Sequence, residues 1–237
     1  MKKTCISLLF MISIIFFTPS VFSQTVTDID GNDYPTKNFN GNVWTVENAN
    51  MEKYSDGTPI PQVTNNEKWA KLTTGAWCYI DNNPQKGKLY NWYAIAGIYD
   101  NESSKNPALR KKLAPKGWHV PTNDEWSLLK EYTAMSVASK KGWKKSDKYS
   151  TPGLKMDQNN ETGFNAYPWG QRFTIASGGI FFGESSGAAF WTSTVSDGDP
   201  SGWVKLYYYH IGFDSATIAS NNYLGVGGMS VRFVKDK

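Results

Sequence analysis

The spacing of apolar positions changes along the chain, and each change predicts an element. From Lys116 to Trp126 a short alternation (Trp118, Val120) runs into a helix start. Thr122 is suited to cap that helix, because its hydroxyl can accept a free N–H of the first turn. Glu125, three residues on, can reach back to the Thr122 N–H. Pro121 and Trp126 flank this capping box at the two staple positions, and Asp124 and Glu125 put negative charge at the positive end of the helix dipole. The pattern continues through Leu129, Tyr132 and Thr133, with Trp126, Leu129 and Tyr132 expected on one face.

A second helix is predicted over Thr64 to Leu72, with Thr64 as cap, Glu67 completing the box, and Trp69 and Leu72 facing the core. Strand-like runs occur at Val43–Val46, Gly75–Ile80, Phe190–Thr194, Trp203–His210 and Ser230–Val234, the last with Val231 and Phe233 alternating against Arg232. Leu89–Ile95 and Gly163–Gly170 are aromatic and expected to be buried. Residues 99–112 and Lys140–Gln158 are polar and expected to be loops. Gly212 to Tyr223 turns back towards the core. Asp30-Gly31, Asp56-Gly57, Asn82-Asn83-Pro84 and Asp197-Gly198-Asp199-Pro200 are turn signals.

Composition bounds the class. Lys2 and Lys3 precede an apolar run from Ile6 to Phe17, too short for a membrane span, and Val21-Phe22-Ser23 offers small residues for cleavage before Gln24. Residues 1–23 are therefore expected to be a signal peptide, and residues 24–237 a single domain. Cys5 lies inside that signal, so Cys78 is the one cysteine expected after export, and its apolar run predicts a buried thiol without a disulfide. Loss of Lys2 and Lys3 lowers the formal charge of +4 to +2. With no basic stripe, nucleic acid is an unexpected partner. Ten Trp, 13 Tyr and 12 Phe beside 21 Gly suggest a loop-rich extracellular α+β domain.

No catalytic set stands out. His119 and His210 each fit a structural role, no Gly-x-Ser-x-Gly elbow surrounds Ser193, and the glycine pairs lack a phosphate-loop pattern. Asp28, Asp30, Asn32 and Asp33 lack EF-hand spacing and are expected to form a turn. Asp197, Asp199 and Asp214 are candidate calcium ligands in the late loops. Otherwise no metal and no cofactor is expected.

In this order, Asp28–Asn32, Trp44 with Glu47-Asn48, Tyr54–Pro59, Leu89–Tyr93, Pro115–Trp126, Gly163–Ala166, Phe190–Thr194 and Ser230–Val234 resemble the Fibrobacter succinogenes major paralogous domain, common in secreted proteins of Bacteroidota. That family in turn looks like the C-type-lectin-like superfamily, close to formylglycine-generating enzymes. The resemblance implies an α+β, C-type-lectin-like mixed fold, with two helices packed on short twisted antiparallel sheets and long loops. Members usually carry cysteines where this chain has Ala114 and Phe233, which implies a disulfide lost as a pair. The cysteine pair of the oxidase-like relatives is also missing, so formylglycine chemistry is not expected.

The expected function is a secreted or cell-surface, non-catalytic binding module for carbohydrate or a surface protein. The expected location is periplasmic, secreted or associated with the outer surface. A structural or adhesin component, or a divergent enzyme, is the alternative. Trp203, Tyr207, Tyr209, Asn221, Asn222 and Tyr223 are the candidate ligand residues, aromatic rings mixed with amides on a late face. Only one face of the Tyr207–Tyr209 strand is expected to be core.

Overall fold

The computed structural model describes residues 24–137, 163–175, 178–183, 187–196, 205–212 and 218–237. The expected signal peptide, the expected loop Lys140–Gln158, Trp203, and Asp197, Asp199 and Asp214 lie outside the described residues.

In chain order the strands are β1 (Thr25–Thr27), β2 (Asp33–Phe39), β3 (Asn42–Thr45), β4 (Trp77–Tyr79), β5 (Lys88–Tyr90), β6 (Trp118–His119), β7 (Gln171–Ile175), β8 (Gly178–Phe182), β9 (Gly187–Ser196), β10 (Lys205–Gly212), β11 (Ile218–Leu224) and β12 (Val234–Lys235). The helices are α1 (Asn66–Ala70), α2 (Trp92–Ile95), α3 (Asn101–Lys105) and α4 (Asn123–Val137). The fold is mixed α+β and mostly strand. Where two helices were expected, the described residues hold four, three of them of five residues or fewer.

A five-stranded sheet runs β1-β2-β3-β12-β6, a three-stranded sheet runs β11-β10-β9, and β4-β5 and β7-β8 form pairs. The Asp30-Gly31 turn joins β1 to β2, with Gly31 at φ 84°. Asn40 and Gly41, at φ 51° and 86°, close the β2–β3 hairpin as an Asn-Gly pair, a hairpin signal carried by the sequence itself.

The segment from Gly228 to Asp236 joins the sheets. Gly228 exchanges backbone bonds with Arg172, Met229 with Tyr90, and the Ser230 N–H donates to Ala189. Farther on, the Val231 carbonyl accepts from Ala49, the Phe233 carbonyl accepts from Thr45, and the Asp236 N–H donates to Gly117. The expected alternation here is only half right. Val231 and Phe233 are buried, but so is Arg232, at 0% exposure.

Arg232 Nε donates to Asn48 Oδ1 at 2.7 Å, Nη1 to the Thr45 and Phe164 carbonyls at 3.1 and 3.0 Å, and Nη2 to the Asn165 carbonyl at 2.6 Å. Its guanidinium also lies 4.6 Å from the centre of the Phe164 ring. Burial pushes its pKa down to about 9, against the opposing charge of Glu47, so it remains cationic at neutral pH.

Aromatic rings fill the space around α4. Trp126, at 0% exposure, stacks on Tyr209 (5.1 Å, 13°) and meets Trp44, Phe164 and Phe190. The Thr122–Glu125 box forms as expected: the Glu125 N–H donates to the Thr122 hydroxyl and the Thr122 N–H to the Glu125 carboxylate. Tyr132 departs from expectation and is 37% exposed, touching only the edge of Phe39. At about 100° per residue it lies well around the helix from Trp126.

Two further expectations are corrected. The helix near residue 66 is capped by Asn65, whose side chain accepts from Lys68, while the Thr64 carbonyl accepts from Arg172. The segment 99–112 contains α3, capped by a reciprocal Asp100–Ser103 box, and a 3-10 turn at Pro107–Leu109. Ala114 and Phe233 sit in one buried apolar cluster, Phe233 edge-on to Tyr34 at 5.9 Å. Cys78 is buried at 0% exposure, and burial pushes its thiol up to about 11 despite nearby Arg172.

Replacing Arg232 by Met would leave four buried oxygens without their donor. Each unmet buried acceptor costs roughly 1–3 kcal/mol, partly relieved by relaxation, so we expect Arg232→Met to lose about 3–5 kcal/mol in urea unfolding. A loss under ~1 kcal/mol would show that the guanidinium is replaceable.

Candidate functional site

Three segments far apart in sequence enclose a cleft of about 420 Å3, lined by Glu47–Asn50, Tyr79, Pro84–Gly87, Tyr167 and Trp169. That volume falls within the ~300–1,000 Å3 of small-ligand sites. The first wall leaves the end of β3. The second is the turn between β4 and β5. The third is the extended approach to β7.

The β4–β5 turn is held by its own hydrogen bonds. Asn83 N–H donates to the Ile80 carbonyl, Lys86 N–H to the Asn83 carbonyl, and Ile80 N–H to Gly87. Asp81 and Asn82 are successively left-handed, at φ 51° and 55°. Asp and Asn tolerate that region best among residues with a side chain. Asp81 thereby reaches Lys86, with Nζ to Oδ2 at 2.6 Å.

On the opposite wall Tyr167 and Trp169 stack at 4.5 Å and 12°. Trp169 lies against Gly87 so closely that a Cβ there would come within 2.1 Å of Cζ3. Glu47 links this wall to the first: Tyr167 Oη donates to Oε2 at 2.6 Å and Asn165 Nδ2 to Oε1 at 3.1 Å. Arg232 fixes the same two walls from below through Asn48 and the Phe164 and Asn165 carbonyls. Lys88, only 2% exposed, braces the rest, with Nζ 2.8 Å from the Asn50 carbonyl and from Glu52, 4.4 Å from the Trp77 ring centre and 5.7 Å from that of Tyr79. Tyr79 and Trp169 stay half-buried, and Gln85 and Asn50 are exposed. The cleft therefore offers parts of two aromatic rings, exposed amides, and two charged groups already bonded within the protein.

The structure places the five described candidate ligand residues of the late face in different surroundings. Tyr209 is in the core, at 1% exposure under Trp126, with its hydroxyl bonded to Ser127 and the Asn123 carbonyl. The strand β10 is buried on both faces rather than one: Leu206 and Tyr208 enter one cluster, Tyr209 and Ile211 another. The cause is the packing of β10 between α4 and the core under β5 and β9. Tyr207 is half-buried, and Asn221 and Asn222 are exposed on β11 opposite Tyr208 and Tyr207. Tyr223 turns away to join sheets, its hydroxyl donating to the Thr174 carbonyl and accepting from the Thr174 N–H. Sequence reasoning missed the cleft because Tyr167 and Trp169 looked like core. Glu47-Asn48 was noticed only as part of a family pattern.

His119 is held by two carboxylates, Glu125 at 3.0 Å from Nε2 and Asp236 at 2.7 Å from Nδ1. The Glu125 hydrogen bond, joined by Asp236, raises its pKa against partial burial. Burial alone would raise the Glu125 carboxyl, but His119 and Thr122 together carry it below its ordinary value. All three groups serve to pin β12 to the start of α4. Among the described residues, no group of three His, Cys, Asp or Glu side chains is placed to hold a metal ion. No helix among them is long and apolar enough to cross a membrane.

Because the folded His119 pKa is raised, its stabilisation is complete below about pH 6.5 and is lost as pH rises through the folded value. Glu125, lowered, acts in the other sense, contributing above about pH 4.3 and losing its effect as pH falls. We expect His119→Gln to lower the melting temperature more at pH 6 than at pH 9. An equal loss at both would show that the ring acts by packing rather than charge.

No curated protein and no solved structure matches this chain. A match to the Fibrobacter succinogenes major domain extends over residues 38–235, taking in all three walls of the cleft, Arg232, and His119 with Glu125. The chain belongs to the Fibrobacter succinogenes major domain family.

Proposed function

We propose that this protein is an exported, non-catalytic binding module of C-type-lectin-like architecture, and that its ligand is a carbohydrate seated in the Glu47–Tyr79–Trp169 cleft. The observation that carries the reading is the composition of that cleft. Half-buried Tyr79 and Trp169 give apolar area for the C–H faces of a sugar, while Gln85 and Asn50 offer amides to its hydroxyls. The short antiparallel sheets tied together by the C-terminal segment, with α4 packed on β9 and β10, support the expected architecture.

A second reading, a structural or adhesin component bound to another protein, is favoured by one observation. Ile180 and Phe182 stand 40% and 62% exposed on β8, an apolar pair at the rim of the two-stranded sheet. Such side chains can anchor a protein contact.

The protein purified after export is to be screened on a glycan array, with calcium and again with a chelator. Among the described residues Glu47 is the single carboxylate lining the cleft, and calcium takes six to eight oxygens, so binding there should survive chelation. Gly87→Ala should weaken that binding at least ~10-fold, because its methyl group displaces the Trp169 ring. Binding abolished by chelation would move the site to other loops. No glycan bound in either condition would favour the protein-binding reading.

A further inference from the structure

The charges that line the cleft decide which sugars suit it, an argument that rests on the cleft being the binding site. Lys86 is 13% exposed and its Nζ lies 2.6 Å from Asp81 Oδ2. Glu47 accepts from Tyr167 and Asn165. The remaining described lining is uncharged: amides, aromatic rings, Ala49, Pro84 and Gly87. An acidic ligand would have to draw Lys86 away from Asp81 and approach the Glu47 carboxylate. A neutral hydroxylated ligand requires neither, and meets the exposed amides of Gln85 and Asn50, the latter also donating to Asn32 at 3.2 Å.

We propose that the cleft selects neutral sugar units over acidic ones, and that Asp81 and Glu47 are its specificity-determining residues. Asp81 pairs with Lys86, the one cation among the described lining residues that could otherwise receive a uronate or a sulfate. Glu47 adds negative potential on the opposite wall. The turn is built to keep Asp81 in that role. Its left-handed backbone, followed by a second left-handed residue, sets the side chain towards Lys86 five positions later.

The test uses Asp81→Asn. Asparagine keeps the side-chain shape and tolerates the left-handed backbone at least as well as aspartate, so the turn should persist while the Asp81 carboxylate is lost. Cellohexaose, xylohexaose and mannohexaose are titrated by calorimetry against the exported protein and the variant, alongside trigalacturonate and a heparin hexasaccharide. In the unsubstituted protein at least one neutral oligosaccharide should bind, and more tightly than either acidic one. In Asp81→Asn the affinity for the acidic probes should rise about fivefold, the scale of a partly exposed ion pair, with neutral affinity unchanged. The gain should vanish in about 0.5 M NaCl. Acidic probes that bind as tightly as neutral ones, or a selectivity unmoved by the variant, would overturn the proposal and leave the cleft's role as a binding site standing. Absence of binding by every probe would overturn both.

Discussion

A guanidinium with no water around it has to place its donors on protein oxygens, and Arg232 does so across the middle of this molecule. Its hydrogen-bond partners are three backbone carbonyls and one side-chain amide, drawn from Thr45, Asn48, Phe164 and Asn165. Two aromatic rings cover its faces, Phe164 at 4.6 Å and Phe190 at 5.4 Å. Carbonyls that end a strand or line an extended segment have no ladder to satisfy them, so a planar, multi-donor cation is well suited to the place. The cation in turn requires those carbonyls, because leaving it unpaired would be more costly than leaving a neutral group so. Each side of the arrangement makes the other necessary.

Around that residue the C-terminal segment completes sheets begun some 190 residues earlier: Val234 pairs with Trp44, and Phe233 N–H donates to the Thr45 hydroxyl. Contacts of such sequence separation form only after much of the chain is ordered. The same segment sets the geometry of the cleft, since Asn48 and the Phe164–Asn165 carbonyls are fixed by one side chain. The cleft is thus a by-product of how the fold is closed. Only the β4–β5 turn is held locally, by its own bonds and the Asp81–Lys86 pair.

In the proposed binding mode the paired charges bear on recognition, because a charge already answered inside the protein offers little to an ionic ligand and leaves amides and rings to act. The Tyr167–Trp169 stack against Gly87 works similarly. Rings immobilised before a ligand arrives lose little further freedom on binding.

The sequence by itself determined what depends on neighbours a few residues apart. The Thr122–Glu125 box, the Asp30-Gly31 turn, the burial of Trp126 and Trp69 and the buried thiol of Cys78 follow from spacing and residue type, because one turn or one apolar run is enough to satisfy them. The family pattern was also legible, since its pieces keep their order. Tertiary structure decided the rest. Nothing near Arg232 in sequence says that its position is dry, and nothing near Tyr209 says that its hydroxyl will meet Asn123 and Ser127 on a distant helix. Both faces of β10 are core because α4 covers one of them, which no alternation along the strand can reveal. The cleft is the sharpest case: Glu47, Lys86 and Trp169 meet only when three loops are brought together, and their chemistry does not exist until the chain has closed.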